Sequence, residues 1–136
     1  MIRNKTQIFD YLVKKLKGSC PDVEEVALVT NEGLLLVSTS ENVEHRERLS
    51  ALAGGITRQT TRSADGLDLG KTNFVLVAGQ NGSLFIKWID DRSFLAATVK
   101  RNADWRSVRR ALSTTVADLR QIGEARGNLA STTRLT

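Results

Sequence analysis

Between Pro21 and Ser38 two short apolar runs, Val26–Val29 and Leu34–Val37, flank the polar segment Asn31-Glu32-Gly33. Apolar runs separated by a glycine-containing break predict a β-hairpin. Side chains alternate along a strand, so Val26 and Leu28 share one face and Ala27 and Val29 the other. Both faces are apolar, which predicts a central strand covered on both sides.

Ahead of the hairpin, Ile2–Lys17 carries Ile8, Leu12 and Leu16 at a spacing of four, widened by Phe9 and Val13. That is one apolar face of a helix, stopped by Gly18 and Pro21. After a polar connection over Ser38–Glu44, the segment Glu44–Ala64 repeats the helical period through Leu49, Leu52, Ala53 and Ile56. Gly54-Gly55 interrupts its middle. Each internal glycine costs about 1 kcal/mol of helix stability relative to alanine. The pair therefore predicts either a break or a close approach by another backbone, and Ala51 beside it favours close helix packing.

Beyond the turn-rich Asp65-Gly66-Leu67-Asp68 the pattern becomes β. Phe74–Ala78, Leu84–Ile89 and Phe94–Val99 read as a three-stranded meander. Asn81-Gly82 predicts a type I′ turn between the first two strands, and Asp90-Asp91 turns the chain into the third. In the middle strand Leu84, Ile86 and Trp88 share a face; Phe85 and Ile89 share the other with Lys87. The last helix is expected from an N-cap at Asp104 to about Ile122, because Trp105, Val108, Leu112, Val116 and Leu119 recur at helical spacing. From Gly123 the chain loses its hydrophobic face. The expected organisation is one domain over 1–122 and a flexible tail over 123–136. The order helix-strand-strand-helix-strand-strand-strand-helix predicts an α+β fold: a three-layer α/β/α sandwich on a five-stranded, mostly antiparallel sheet.

A chain of 136 residues can bury a core unaided. Its formal net charge is +5, and its distribution matters more than its size. Residues 1–99 hold 12 basic and 12 acidic side chains; residues 100–136 hold 8 basic against 3 acidic. The excess sits in the last helix and tail, where Arg106, Arg109, Arg110 and Arg120 lie mostly off the apolar stripe. Such a row reads either as a solvated helix face or as a contact for an anionic membrane or nucleic acid. The lone Cys20 excludes an intrachain disulfide and fits a reducing compartment. The N-terminus alternates apolar and charged residues, unlike a signal peptide, and no apolar run approaches membrane length. A cytoplasmic protein is expected.

Candidate chemistry is sparse. Gly66-Leu67-Asp68-Leu69-Gly70-Lys71-Thr72 imitates a phosphate-binding loop. The working signature has four residues between its glycines and a helix behind them. Here three intervene and a strand follows, so no nucleotide loop is expected. His45 and Cys20 are single and fall in different elements, which provides neither a zinc tetrad nor a convincing nucleophile–base pair. Asp90-Asp91 and Glu24-Glu25 are adjacent carboxylates without convergence. No catalytic residue, cofactor, metal or small-molecule substrate is expected, which leaves interaction as the function.

The ordered set of these features resembles the Roadblock/LC7 family over about residues 5–120. The resemblance rests on Pro21-Asp22-Val23 leading into Val26-Ala27-Leu28-Val29-Thr30, and on Gly33-Leu34-Leu35-Leu36. It also rests on the Leu49–Ile56 helix, Gly82 with Leu84-Phe85, and the helix from Trp105 to Leu119. It implies a homodimer or heterodimer in which the second helices pack across a two-fold axis and the third strands pair at their edges. Mapped here, the implied interface comprises Leu49, Ala51, Leu52, Gly54, Gly55 and Arg58 of the helix, with Asn73, Phe74, Val75 and Val77 of the strand. Missing side chains at Gly54-Gly55 would let two helices approach, and a partner strand would consume the free amides of the edge. The family also implies a Ras-like GTPase as partner. Prokaryotic MglB-like members stimulate hydrolysis by a cognate GTPase, while eukaryotic relatives serve as dynein light chains or scaffolds. No arginine here matches a catalytic finger, so stimulation would work by ordering the partner's switch residues. Two other readings stay open: an adaptor on an anionic membrane or nucleic acid through the basic helix, and a dimerisation module alone.

Overall fold

A capping box opens the first helix: Asn4 Oδ1 accepts from Gln7 N–H at 2.8 Å while Gln7 Oε1 accepts from Asn4 N–H at 3.1 Å. The computed structural model describes the backbone of residues 4–135 and the side chains of 4–122. Its elements are α1 (Lys5–Ser19), β1 (Val23–Thr30), β2 (Leu35–Ser38), α2 (Val43–Gly66), β3 (Phe74–Ala78), β4 (Gly82–Trp88), β5 (Ser93–Lys100) and α3 (Trp105–Leu135). The strands form one sheet in the order β2-β1-β5-β4-β3, with every neighbouring pair antiparallel.

The alternation read from β1 holds. Val26 and Leu28 enter a core shared with α1 and α3, through Val13, Leu16, Val108, Leu112 and Leu119. Ala27 and Val29 enter a second core with Leu49 and Ala53 of α2, closed by Ile86, Phe94 and Ala96. The sheet thus carries α1 and α3 on one face and α2 on the other, which is the expected three-layer sandwich. Trp88 is half-buried on the α2 side, 6.5 Å from Phe94 between ring centroids.

α2 runs unbroken through Gly54-Gly55, so the alternative of a break does not apply. A Cβ on Gly54 would lie 3.3 Å from Gly33 Cα in the β1–β2 turn. The close approach that Gly54 serves is therefore within the chain. Gly55 faces open space apart from the Arg58 guanidinium 4.0 Å away.

The β3–β4 turn corrects the type I′ expectation at Asn81-Gly82. Gly79 N–H donates to the Gly82 carbonyl at 2.8 Å, which puts Gln80-Asn81 at the tip. Among described non-glycine residues only Asp68 and Asn102 have positive φ, so Asn81 lacks the conformation that turn requires. Gly82 is needed for another reason: a Cβ there would sit 2.9 Å from the Val99 carbonyl oxygen on β5.

The last helix starts as expected. Asp104 Oδ1 accepts from Arg106 N–H at 3.2 Å, and Oδ2 accepts from Ser107 Oγ at 2.8 Å. The helix does not stop near Ile122; its backbone continues to Leu135. Propagation adds one hydrogen bond per residue once a helix is nucleated, which offsets the cost of Gly123 and Gly127. The side chains of 123–136, on which the expected tail falls, lie outside the described residues.

Candidate functional site

The sheet ends on an open strand. β3 is hydrogen-bonded to β4 and lies at the edge, so the backbone groups along its outer side have no strand neighbour in the sheet. Register assigns its faces. Val75 and Val77 oppose Ile86 and Leu84 and lie on the α2 side; Phe74 and Leu76 oppose Lys87 and Phe85 and lie on the α3 side. Phe74, Leu76 and Val77 are each a little under half exposed, unusual for so short an apolar strand. Phe74 stacks on Phe85 at 5.4 Å, and the Arg109 guanidinium stands 5.9 Å over the Phe74 ring. Leu76 is absent from the interface that the family resemblance implies, although the same two-residue alternation that marks Phe74 points to it.

The outward stripe of α2 lies on the same side of the sheet as Val75 and Val77 of this strand. Leu52 is 60% exposed, and Ala51 and Arg58 are exposed around the half-exposed Gly55. Leu49 and Gly54 do not join them. Leu49 is buried in the α2-side core and Gly54 sits against Gly33, because both lie on the helix face turned to the sheet. The structure therefore divides the six expected α2 positions into four that face out and two that hold the helix down.

α2 packs chiefly over β1, β2 and β5. Beside it, toward β3 and β4, lies a cleft of about 570 Å³ lined by Thr61, Asp65, Lys71, Asn73, Trp88 and Arg120, among others. The Gly70-Lys71-Thr72 stretch forms part of its wall and leads directly into β3, not into a helix. Lys71 Nζ lies 3.5 Å from Asp91 Oδ1, an exposed ion pair of little energetic weight. The neighbouring Asp90 acts locally. Its Oδ1 accepts from Arg92 N–H, Ser93 N–H and Ser93 Oγ, closing the β4–β5 turn.

The four arginines expected to form a row on α3 behave differently from one another. Arg106 and Arg110 are exposed. Arg109 covers Phe74. Arg120 is used inside the chain, donating from Nε to the Ile89 carbonyl and from Nη2 to the Trp88 carbonyl, both at 2.9 Å. Those two carbonyls end β4, and a guanidinium fork satisfies both at once.

Other candidates do not converge. Cys20 is buried in the core on the α1 and α3 side, whereas His45 is exposed in the first turn of α2, on the opposite side of the sheet. Among the described residues no three potential metal ligands cluster, and no helix is long and apolar enough to cross a membrane. The Asp104 carboxyl is held below its ordinary value, chiefly by the Ser107 hydroxyl and then by the Ser107 backbone, an N-cap effect.

No curated protein sequence matches the chain. Among solved structures, a Roadblock/LC7 domain from Streptomyces avermitilis superposes with a TM-score of 0.75 at 23% identity, covering 83% of this chain and 95% of that one. Myxococcus xanthus MglB gives 0.82 at 17% identity, with coverage of 92% and 94%. The gliding protein MglB from Thermus thermophilus gives 0.79 at 13% identity, with coverage of 92% and 95%. At these identities the likeness establishes the shared fold. The sequence model of the Roadblock/LC7 domain matches residues 9–99, from α1 through β5 and over more than half of the chain, and the chain therefore belongs to the Roadblock/LC7 domain family.

Proposed function

We propose that this protein is a cytoplasmic homodimer that binds a small Ras-like GTPase and modulates its nucleotide cycle. The observation that carries this reading is the presence of two unsatisfied surfaces, a sheet edge and a helix stripe, in a member of this family. The open β3 edge bears exposed Phe74, Leu76 and Val77, and the outward stripe of α2 bears Leu52, Ala51, Gly55 and Arg58. A second copy satisfies both. Edge pairing fills the free backbone groups of β3, and two α2 helices meet where Gly55 has no side chain. Apolar burial favours that association by about 25 cal/mol for each Å² removed from water.

The chain supplies no nucleotide pocket and no catalytic group in this reading. Its effect on a GTPase is conformational. A surface that binds one nucleotide state more tightly shifts the switch segments toward that state, and equal affinity for both shifts nothing. Titration of the purified protein against its cognate GTPase, loaded with GDP or with a non-hydrolysable GTP analogue, tests this. Stoichiometric binding that prefers one form supports the proposal. Equal affinity for both forms, or none for either, overturns it and leaves self-association alone.

A further inference from the structure

Structure concentrates charge that sequence order disperses. α1 carries four lysines against Asp10, and the 105–122 part of α3 carries four arginines against Asp118. These two helices lie on the same face of the sheet and pack against each other. Their sum is +6 in a chain of net +5, so everything else together is −1. The positive excess is thus concentrated in one layer; α2, with four arginines against Glu44, Glu47 and Asp65, carries only +1.

Helical position and exposure place Tyr11, Lys14 and Lys15 of α1 opposite its buried stripe, with Arg106 and Arg110 exposed on α3. Between the helices runs a groove of about 340 Å³. Lys15, Arg110 and the hydroxyls of Ser19, Ser107 and Thr114 line it, with Asp118 as the single acidic member. The three hydroxyls donate within the chain, to the Leu16 carbonyl, Asp104 Oδ2 and the Arg110 carbonyl, so the cations are what a phosphodiester would meet here. A half-exposed tyrosine beside two lysines suits a headgroup layer.

We propose that the α1/α3 layer is a docking face for an anionic lipid bilayer surface. Its charged positions spread over two side-by-side helices, a broad face that a plane of phosphates engages as a whole. Self-pairing widens it. A two-fold axis that joins two β3 edges antiparallel stands perpendicular to the sheet, so both copies keep α1 and α3 on the same side. This doubling rests on the pairing proposed above; the charge of the single layer does not. Attachment is peripheral, through charge and the edge of Tyr11, and leaves the α2 side turned toward the solvent.

Co-sedimentation with phosphatidylcholine vesicles, with and without phosphatidylglycerol, tests the inference on the full chain, with light scattering of the same sample. Binding is expected only when the anionic lipid is present and should disappear near 1 M salt, where screening acts within about 3 Å. Each basic residue at such a surface contributes roughly fivefold in affinity, so Lys15→Glu with Arg110→Glu should weaken binding by at least about twentyfold. Asp118→Asn should strengthen it. Lys71→Glu, the same reversal beside the α2-side cleft, should change it by less than about twofold. Absence of binding, equal binding to neutral vesicles, or displacement from anionic vesicles by equimolar DNA duplex overturns the inference. A dimer that ignores anionic vesicles overturns docking and leaves pairing intact; a monomer that binds them does the reverse.

Discussion

Gly54 of α2 and Gly33 of the β1–β2 turn meet backbone to backbone, with no room for a side chain at ordinary contact distance between them. Gly33 adopts a φ of +87°, which a side chain there would strain. The turn that opens the domain is thus seated on the helix that the family resemblance assigns to dimerisation. Gly54→Val inserts bulk into this contact and is expected to cost about 1–3 kcal/mol of folding stability. Urea denaturation at constant protein concentration measures it.

Gly55, one residue on, behaves oppositely. Its surroundings are open within the chain, so a side chain there disturbs no intrachain core. Gly55→Glu is expected to leave the fold intact by circular dichroism and to convert the proposed dimer into a monomer by light scattering, with the parent protein as the dimeric reference. An unchanged dimer removes Gly55 from the seam.

Arg120 ties α3 to the end of β4 through two carbonyls. Arg120→Met keeps most of its stem but removes both hydrogen bonds, and about 1–3 kcal/mol of stability should be lost. Arg106→Met, at an exposed position on the same helix, should stay within about 0.5 kcal/mol of the parent. Parallel denaturant titrations separate the two arginines.

Asp104 introduces a pH dependence at the start of α3. Its carboxyl is lowered by hydrogen bonds from Ser107 that exist only in the folded chain. A depressed carboxylate contributes its full stabilisation above its unfolded-state value, and that contribution disappears as pH falls through the folded-state value. Asp104→Asn should therefore flatten the acid limb of a plot of Tm against pH while preserving the neutral plateau shape. Thermal scans across the acid range check it.

Much of the fold is legible in the sequence because it is periodic. The Phe9–Leu16 stripe, the two-faced Val26–Val29 run and the Trp105–Leu119 repeat each announce a buried face, and each is buried on the expected side. The candidate site is legible in part. Leu52 and Phe74 stand out as large apolar residues, and exposure separates them from Leu49, which obeys the same period but points inward. What escapes is contact between distant segments. Nothing in the Gly54-Gly55 pair tells which glycine meets the β1–β2 turn. Nor does the spacing of Arg120 reveal carbonyls 31 and 32 residues earlier in the chain. The pairing of α1 with α3 likewise turns two modest charge counts into one basic layer.

The two cores differ in grain, and that difference has a mechanical consequence. The difference lies in what the helices bury: α1 presents Phe9, Leu12, Val13 and Leu16, whereas α2 presents Leu49 among the small Ser50, Ala53, Gly54, Thr57 and Ala64. Small residues bury less area and interlock less, so α2 is anchored more weakly than its counterparts across the sheet. Amide hydrogens of α2 should exchange sooner than those of α1 in the isolated chain, and association should slow them most. The protein is a stiff back carrying a compliant front, and the compliant side is the one that the proposed self-pairing covers.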